Sequence, residues 1–351
     1  MLPRVAIIYL SYNTRKYLPE VFDSVRKLNY PAEKLEIIAV DNDSKDGSAQ
    51  WLREQEGITY LPSAENLGFA EGNNLGIKHA ILGGAEYVYL LNGDAKLHPD
   101  AIMEAVKLAE SDTSIGSVQS RVMLWQFPHV VNVTGGMVHF LGFGFARDNG
   151  RLWSEIQDRY VDGEDITYSS GAAVLFRSNV LRKVGLLDSF LFLYHEDLEL
   201  GWRIRLADYR NVLSVDSIAY HDYQFKKSIQ KFYWMERNRI LVHLSHLRWW
   251  SLIVLAPFML MAEMGLIVFA VKGGWFKEKL LVYVNLLSPR TWKYVAKKRR
   301  ESRLLRVTED RKIVGYWTGK IEHQETNSAL VRFVINPVLS VLWGVLQRMI
   351  R

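Results

Sequence analysis

An α/β fold, in which a mostly parallel sheet is covered by helices on both faces, is predicted for residues 1–225 of this 351-residue chain. Short and almost wholly apolar runs at residues 5–10, 35–40 and 87–91 are typical of strands that are buried on both faces. Segments with helical periodicity alternate with these runs, and such alternation is typical of parallel sheets. Residues 226–351 are apolar and basic, so they are expected to form a separate, helical region that associates with a membrane.

The elements of the first region are expected in chain order. Strands are predicted at residues 5–10, 35–40, 58–61, 87–91 and 169–176, and a further strand ends just before His221. Helices are predicted at residues 18–28, 49–55, 72–82 and 99–110, and another begins near residue 194. Ligands of parallel sheets bind beyond the carboxyl ends of the strands, and Asp41 and Asp94 each follow such an end. These two acids are therefore candidate site residues on position alone.

Carboxylates and a histidine at these positions suit the transfer of a sugar from a nucleotide diphosphate. A divalent cation offsets the charge of the pyrophosphate leaving group, and hard oxygen ligands favour Mg²⁺ or Mn²⁺. Asp94 and His221 are the candidate metal ligands, and Asp41 is placed to contact the base or the ribose. The acceptor hydroxyl needs a base, and the adjacent Glu196 and Asp197 stand at a helix start.

Seven motifs occur together in a fixed order along the first region. They are residues 5–13, 40–48, 65–76, 91–94, 170–172 and 192–203, followed by His221. Each motif is weak by itself, but the whole set resembles the inverting family 2 glycosyltransferases with the GT-A fold. More narrowly, the chain is similar to the rhamnosyltransferase-like branch, which builds lipopolysaccharide and other surface glycans.

The resemblance implies roles for individual residues of this chain. Asp41 matches the acid that holds the nucleoside, Asp94 the last acid of the metal-binding Asp-x-Asp motif, and Asp197 the acid proposed as general base. His221 matches the histidine that ligates metal in some members. The residues expected to contact the donor are Asp41, Asn13, Asn66, Gly68, Asn73 and Asn92. Because Asn92 replaces the first acid of Asp-x-Asp, the donor pyrophosphate is expected to supply much of the metal coordination.

Each of these assignments has a plainer alternative. Asp41 could cap the following helix, Asp94 could belong to a turn, and His221 could be a structural histidine. Glu196 and Asp197 could simply favour a helix N-terminus, and either of them could be the base. For the whole chain, the alternatives are a nucleotidyltransferase of similar fold and a non-catalytic protein that binds membranes or nucleic acid.

Two apolar stretches, residues 249–271 and 328–350, lie in the C-terminal region. The first is about long enough to cross a bilayer, but Pro257 and Glu263 interrupt it and basic residues flank it on both sides. A re-entrant or in-plane hairpin fits these facts better than a single span. The alternative is a buried core helix of a soluble protein.

The net charge of the chain is +6, and the excess of basic residues lies in its C-terminal part, with a cluster at residues 297–306. Anionic membrane lipid is the expected partner of that cluster, and no nucleic acid is expected. The chain has no cysteine, which fits a reducing compartment, and no signal-like apolar segment precedes the first strand. We therefore expect the protein at the cytoplasmic face of the cell membrane. Its expected substrates are a nucleotide-diphosphate sugar donor and a polyprenyl-linked sugar acceptor.

Overall fold

The computed structural model describes residues 1–223, 229–322, 329 and 331–351. Within these residues, nine strands form one sheet, and two further strands form a small ribbon. The strands are β1 (Val5–Ser11), β2 (Leu35–Asp41), β3 (Thr59–Pro62), β4 (Tyr87–Asn92), β5 (Ala95–Leu97), β6 (Ile115–Leu124), β7 (Val131–Val133), β8 (Gly136–Val138), β9 (Gly144–Ala146), β10 (Ala173–Arg177) and β11 (Arg210–His221). The ribbon consists of β8 and β9.

The strand order in the main sheet is β3-β2-β1-β4-β10-β6-β11-β5, and β7 pairs with β6. Strands β3, β2, β1 and β4 run parallel to one another, as does β11 to β6. Strand β10 is antiparallel to both of its neighbours, so the sheet as a whole is mixed. Its parallel half is the part that carries the strand ends at Asp41 and Asn92. The predicted α/β fold class is confirmed.

Helices cover both faces of the sheet. Successive side chains of each buried strand point to opposite faces, so both faces are apolar and need to be covered. Ile7 and Tyr9 of β1 belong to one hydrophobic core, whereas Ile8 and Leu10 belong to the core on the other face. The helices of this region are α1 (Leu18–Arg26), α2 (Ser48–Arg53), α3 (Gly68–Leu82), α4 (Ala101–Ser111), α5 (Ser178–Val184) and α6 (Glu196–Leu206).

Helix α3 begins earlier than the sequence pattern predicts, at Gly68 instead of residue 72. Two side-chain oxygens account for this earlier start. Asn42 Oδ1 accepts a hydrogen bond from the N–H of Leu67 at 2.8 Å, and Asn66 Oδ1 accepts one from the N–H of Gly68 at 2.9 Å. These bonds satisfy backbone donors that a helix start leaves without an intrahelical partner.

The C-terminal region is helical, as predicted. Its helices are α7 (Ile229–His246), α8 (Trp249–Lys272), α9 (Phe276–Leu287), α10 (Pro289–Leu305), α11 (Asp310–Val314) and α12 (Asn336–Met349). Residues 226–228, 328 and 330, at the beginning of this region and of its second apolar stretch, lie outside the described residues. The helices share a hydrophobic core with the α/β region, to which α6 contributes Leu198 and Trp202 and α8 contributes Leu255. The regions on either side of residue 225 therefore pack on each other.

A buried cluster of four charges joins α7, α8 and α9. Arg239 contacts both Glu236 and Glu263, and Lys279 contacts the same two carboxylates. Tyr283 adds a hydrogen bond to Glu263 at 2.7 Å. Glu263, which interrupts the apolar stretch in the sequence, is thus neutralised by cations from two neighbouring helices.

Helix α8 is long and apolar enough to cross a membrane, and it alone passes that test in the part of the chain that the structure describes. About half of its apolar side chains are exposed, among them Leu260 at 68% and Met264 at 71%. The apolar faces of α9 and α12 are exposed as well, as Leu281 and Val341 show. Helix α8 is therefore not the buried core helix of the alternative interpretation.

Candidate active site

A cleft of about 370 Å³ opens at the carboxyl ends of β1, β2 and β4. We call it the strand-end cleft. Its lining residues are Leu10, Tyr12, Asn13, Thr14, Tyr17, Asn42, Asn66, Gly68, Phe69, Asn92, Gly93, Asp94, Phe192 and Leu193. Five of the residues predicted from the sequence line it: Asn13, Asn66, Gly68, Asn92 and Asp94.

Asp94 and His221 meet at this cleft although 127 positions separate them in the chain. His221 Nε2 lies 3.0 Å from Asp94 Oδ1, and His221 Nδ1 lies 3.0 Å from Asn132 Oδ1. The antiparallel pairing of β11 with β5 brings them together, because it sets His221 opposite Ala95, the residue after Asp94. The Asp94 side chain is 37% exposed and that of His221 only 8%, so the carboxylate faces the cleft and the imidazole lies behind it.

Both ring nitrogens of His221 face oxygen atoms. A neutral imidazole carries one N–H, so it can donate to only one of these oxygens. The other nitrogen keeps a lone pair, which a metal ion can accept. A carboxylate oxygen and an imidazole nitrogen are ligands that Mn²⁺ accepts. No group of three or more His, Cys, Asp or Glu side chains converges in a metal-binding arrangement among the described residues.

Tyr17 and Asp222 support the Asp94 side of the cleft, and the sequence analysis did not identify either. The backbone N–H of Asp222 donates to the carbonyl oxygen of Asp94 at 2.9 Å. The Tyr17 hydroxyl donates to Asp222 Oδ2 at 2.6 Å. Burial, together with this hydrogen bond to a carboxylate, raises the pKa of Tyr17, so the phenol stays protonated and keeps donating. The only sequence feature that pointed to Asp222 is its position directly after His221, the last of the seven motifs.

Asp41 is buried at the end of β2, and its Oδ1 atom has no hydrogen-bond partner among the described residues. It does not itself line the strand-end cleft, but the next residue, Asn42, does. Asn42 Nδ2 donates to Asn66 Oδ1 and to the carbonyl oxygen of Gly68, both at 3.1 Å. Asn42, which the sequence analysis did not single out, thus holds the loop that forms one wall of the cleft.

Backbone geometry explains two of the predicted donor contacts. Gly68 has a φ of +76°, and a Cβ atom there would lie 2.6 Å from the carbonyl oxygen of Phe192, so a larger residue would push the wall apart. Asn13 has a φ of 55°, and its Oδ1 accepts the N–H of Lys45 at 2.7 Å. Its side chain therefore fixes the 42–48 turn beside the cleft.

Asn73, like Asp41, is a predicted donor contact that does not line the strand-end cleft. It is buried within α3, where Nδ2 donates to the carbonyl oxygen of Phe69 at 3.0 Å. The loop that carries Asn66 ends at the beginning of α3, because Gly68 starts the helix. Asn73 therefore has a role inside the helix and supports the cleft only through Phe69, which lines it.

Glu196 and Asp197 begin α6 next to the strand-end cleft. Asp197 accepts hydrogen bonds from the N–H of Leu198 at 2.7 Å and of Gly171 at 3.3 Å. Gly171 packs on the cleft residue Phe69, since a Cβ atom at Gly171 would lie 2.7 Å from Phe69 Cζ. Burial raises the pKa of Asp197 above its usual range.

Glu196 differs from Asp197 in its lack of partners. Its Oε2 atom is buried and has no hydrogen-bond partner in the described part of the chain. Burial, followed by repulsion from Asp197, raises the pKa of Glu196 well above its usual range. When two adjacent carboxyls compete for a proton, the one with fewer donors holds it. Glu196 is thus the member of the pair that takes up a proton more readily.

The loop before α6 is strained, and α7 holds it. Phe192, Tyr194 and His195 all have positive φ values, between 61° and 68°. Asn238 of α7 donates from Nδ2 to the carbonyl oxygens of three loop residues: Leu191, Leu193 and Tyr194. Non-glycine residues with such φ values persist where surrounding contacts impose them. The C-terminal region therefore shapes the wall of the cleft that carries Phe192 and Leu193.

Two curated proteins are similar to this chain over about half of its length. The low-salt glycan biosynthesis hexosyltransferase Agl10 of Haloferax volcanii is 23% identical over 207 residues, which are 58% of this chain and 62% of that protein. The galactofuranosyltransferase GlfT1 of Mycolicibacterium smegmatis is 24% identical over 211 residues, which are 57% of this chain and 65% of that protein. The chain thus matches less than two thirds of the length of these relatives.

Solved structures show the same fold. The mannosyltransferase PcManGT of Pyrobaculum calidifontis, in complex with GDP-Man and Mn²⁺, gives a TM-score of 0.52 at 19% identity and covers 87% of each chain. GalNAc-T7 with UDP, GalNAc and Mn²⁺ gives a TM-score of 0.56 at 13% identity, covering 82% of this chain and 58% of that one.

The family model of glycosyl transferase family 2 matches residues 6–185, a segment that begins in β1 and ends just after α5. It contains the strand-end acids Asp41 and Asp94, and it spans half of the chain. The chain belongs to glycosyl transferase family 2.

Proposed function

We propose that this protein transfers a hexose or a rhamnose-like sugar from a nucleotide-diphosphate donor, with inversion and with the help of Mg²⁺ or Mn²⁺. The observation that carries the proposal is the meeting of Asp94 and His221, 3.0 Å apart, at the strand-end cleft. Family membership favours sugar transfer over the alternative of nucleotidyl transfer.

Asp94 and His221 are the residues that would hold the metal, with the donor diphosphate supplying further oxygens. When bound, the metal would stabilise the charge that develops on the leaving diphosphate. The Mn²⁺ in the complexes of PcManGT and GalNAc-T7 supports this assignment. Asn13, Asn66, Gly68 and Asn92 are proposed to contact the donor. Asp41 is proposed to accept a hydrogen bond from the nucleoside through its unpaired oxygen.

Asp197 is the proposed general base, and Glu196 is the protonated neighbour that does not take part in proton transfer. A direct displacement by the acceptor hydroxyl inverts the anomeric carbon, and it needs one base on the acceptor side. Asp197 supplies that base at the start of α6. The backbone donors of Gly171 and Leu198 orient its two oxygens.

A polyprenyl-linked acceptor at the cytoplasmic face of the membrane fits the exposed apolar faces of α8, α9 and α12. An in-plane hairpin of α8 and α9 is favoured over a single span because the four-charge cluster fixes both helices to α7. Such a hairpin would keep the flanking basic residues on one side of the bilayer. It would also bring the α7-supported loop at residues 190–195 close to lipid-linked substrates.

The direct test is a donor screen with purified protein, Mn²⁺ and a polyprenyl-diphosphate-sugar acceptor, with product stereochemistry read by NMR. We expect one nucleotide sugar to be consumed, an inverted product, and no turnover in EDTA. Full activity in EDTA would contradict the metal, and a retained configuration would contradict the displacement. Protein that stays soluble without detergent and does not bind anionic liposomes would contradict membrane docking.

A further inference from the structure

A second cleft, which we call the arginine cleft, lies between the end of α7, the beginning of α8 and the face of α10. Its volume is about 610 Å³. The lining residues are Ser245, His246, Leu247, Arg248, Trp249, Ala296, Arg299, Arg300, Ser302, Arg303 and Arg306. No acidic residue lines it, and it shares no lining residue with the strand-end cleft.

Two of its five arginines are part of the protein framework. Arg306 pairs with the buried Asp310 at 2.6 Å and donates to the carbonyl oxygen of His246. Arg299 donates to the carbonyl oxygen of Leu247, the residue after α7, at 2.9 Å. Burial and the nearby charge of Arg306 lower the pKa of Arg299, so positive charge is crowded here.

The other three arginines, Arg248, Arg300 and Arg303, are exposed at the cleft. None of them forms a salt bridge with an acid in the described ranges. Guanidinium groups are planar forks that bind phosphate oxygens in pairs, and they lose less hydration than an ammonium group on binding. Three unpaired guanidiniums around one concave surface therefore favour a phosphate-bearing ligand.

The surroundings of the arginine cleft indicate where that phosphate comes from. Trp249 lines the cleft and begins the apolar helix α8, and Arg299 stacks on its ring at 4.0 Å. Trp250 and Ile253 are exposed on the same helix, at 49% and 62%. Tryptophan and arginine at the end of an exposed apolar helix are typical of the headgroup level of a bilayer.

The floor of the cleft is fixed before any ligand arrives. Ser302 Oγ lies 2.7 Å from Nδ1 of His246, and Nε2 of His246 lies 3.0 Å from Glu199 in α6. Glu199 in turn holds Arg203 through two hydrogen bonds, at 2.8 and 2.6 Å. A preformed site loses less entropy on binding, so it favours a defined ligand over a diffuse counterion cloud.

We propose that the arginine cleft binds the phosphate of one anionic phospholipid, whose acyl chains lie along the exposed face of α8. The proposal rests on the proposed membrane docking and makes it specific. The anionic lipid would then bind at a single site formed by Arg248, Arg300 and Arg303, and not through diffuse attraction to the whole basic cluster.

The test uses dihexanoyl phosphatidylglycerol below its micelle concentration, so that no charged membrane surface is present. Binding is measured by calorimetry with the full chain. We expect saturable binding of one lipid that weakens at least about tenfold in Arg300→Gln/Arg303→Gln, because each lost contact involves two charged groups. The matched control is Lys293→Gln/Lys297→Gln, which removes two exposed charges of α10 outside the cleft, and we expect a change within about twofold.

Several outcomes would overturn the proposal. An equal loss of lipid affinity in both double variants would mean that the attraction is diffuse. Inorganic phosphate that binds as tightly as the lipid would mean that the cleft is a site for free anions. Tighter binding of a short oligoribonucleotide would mean a nucleic-acid site. Thermal melting of each variant checks that folding is unchanged. Because the assay needs no donor or turnover, a wild-type protein that transfers sugar but does not bind the lipid would reject this site and leave the proposed function standing.

Discussion

Acids beside the strand-end cleft and acids among the C-terminal helices are compensated in opposite ways. Glu236 and Glu263 each contact two cations, Arg239 and Lys279, which are themselves buried. Asp41 and Glu196 each keep one buried oxygen without a partner in the described residues. An uncompensated buried carboxylate is costly, whereas a fully paired cluster holds its elements in one arrangement. The difference separates acids whose oxygens stay without a partner beside the strand-end cleft, within the described residues, from acids that join helices.

The largest effect is expected at Asp94, the acid that faces the cleft. Asp94→Asn keeps the shape of the side chain but removes the charge that would hold the metal, so kcat/KM for sugar transfer should fall about 10³-fold. Circular dichroism and thermal melting should change little, because Asp94 is partly exposed. An Asp94→Asn protein with wild-type turnover would remove Asp94 from the metal site.

Asp197→Asn tests the base on the other side of the cleft. We expect kcat to fall at least about 10²-fold while donor affinity is kept, because the change removes proton transfer and not a donor contact. The wild-type kcat should rise with pH through an ionisation above the usual aspartate range, since burial raises the pKa of Asp197 and only the ionised form is a base. Donor affinity that collapses in the variant would make Asp197 a binding or folding residue.

Glu263→Gln tests the paired acids of the C-terminal helices. It leaves Arg239 and Lys279 with one carboxylate instead of two, so the free energy of unfolding should fall by about 3 kcal/mol. Denaturant melts in detergent would measure this loss. Donor binding at the strand-end cleft should survive in the folded fraction. A variant as stable as the wild type would show that the four-charge cluster does not hold the helices.

Glu196→Gln should have the smallest effect. Unlike Glu263→Gln, it should raise the free energy of unfolding. The raised pKa of Glu196 means that its contribution to stability is full below the ordinary glutamate pKa and is lost as pH rises towards the folded-state value. A glutamine has no such loss, so the variant should be more stable by about 1 kcal/mol at pH 7 and similar to the wild type near pH 4. Melting temperatures at the two pH values check this. Destabilisation at pH 7 would mean that Glu196 has an ionic partner.

The sequence was informative where a strand end could be located. Asp41 and Asp94 follow apolar runs, and the rule that ligands bind beyond parallel strands placed both correctly at the carboxyl edge of the sheet. The pairing of Asp94 with His221 was expected from the motif order, and the register of β11 on β5 produces it. Asn73 belonged to the same motif as Asn66, but the earlier start of α3 turns its side chain inwards.

The contacts that the sequence did not reveal are long-range ones made by ordinary residues. Asn238 holds carbonyl oxygens 44 to 47 positions away, and no local pattern distinguishes it from a surface asparagine of a helix. The sequence presents Glu263 as an obstacle to a single membrane span, because it does not show the neutralising partners on other helices. Such pairings depend on how the helices pack, and the sequence pattern determines only which face of a helix is apolar.

A metal held by Asp94 and His221 is tested most directly by calorimetric titration of a nucleoside diphosphate, with and without Mn²⁺, into wild type, Asp94→Asn, His221→Gln and the control Glu196→Gln. We expect Mn²⁺ to tighten nucleotide binding in the wild type and in Glu196→Gln and to have little effect in the other two variants. Equal Mn²⁺ enhancement in all four proteins would contradict a metal held by Asp94 and His221.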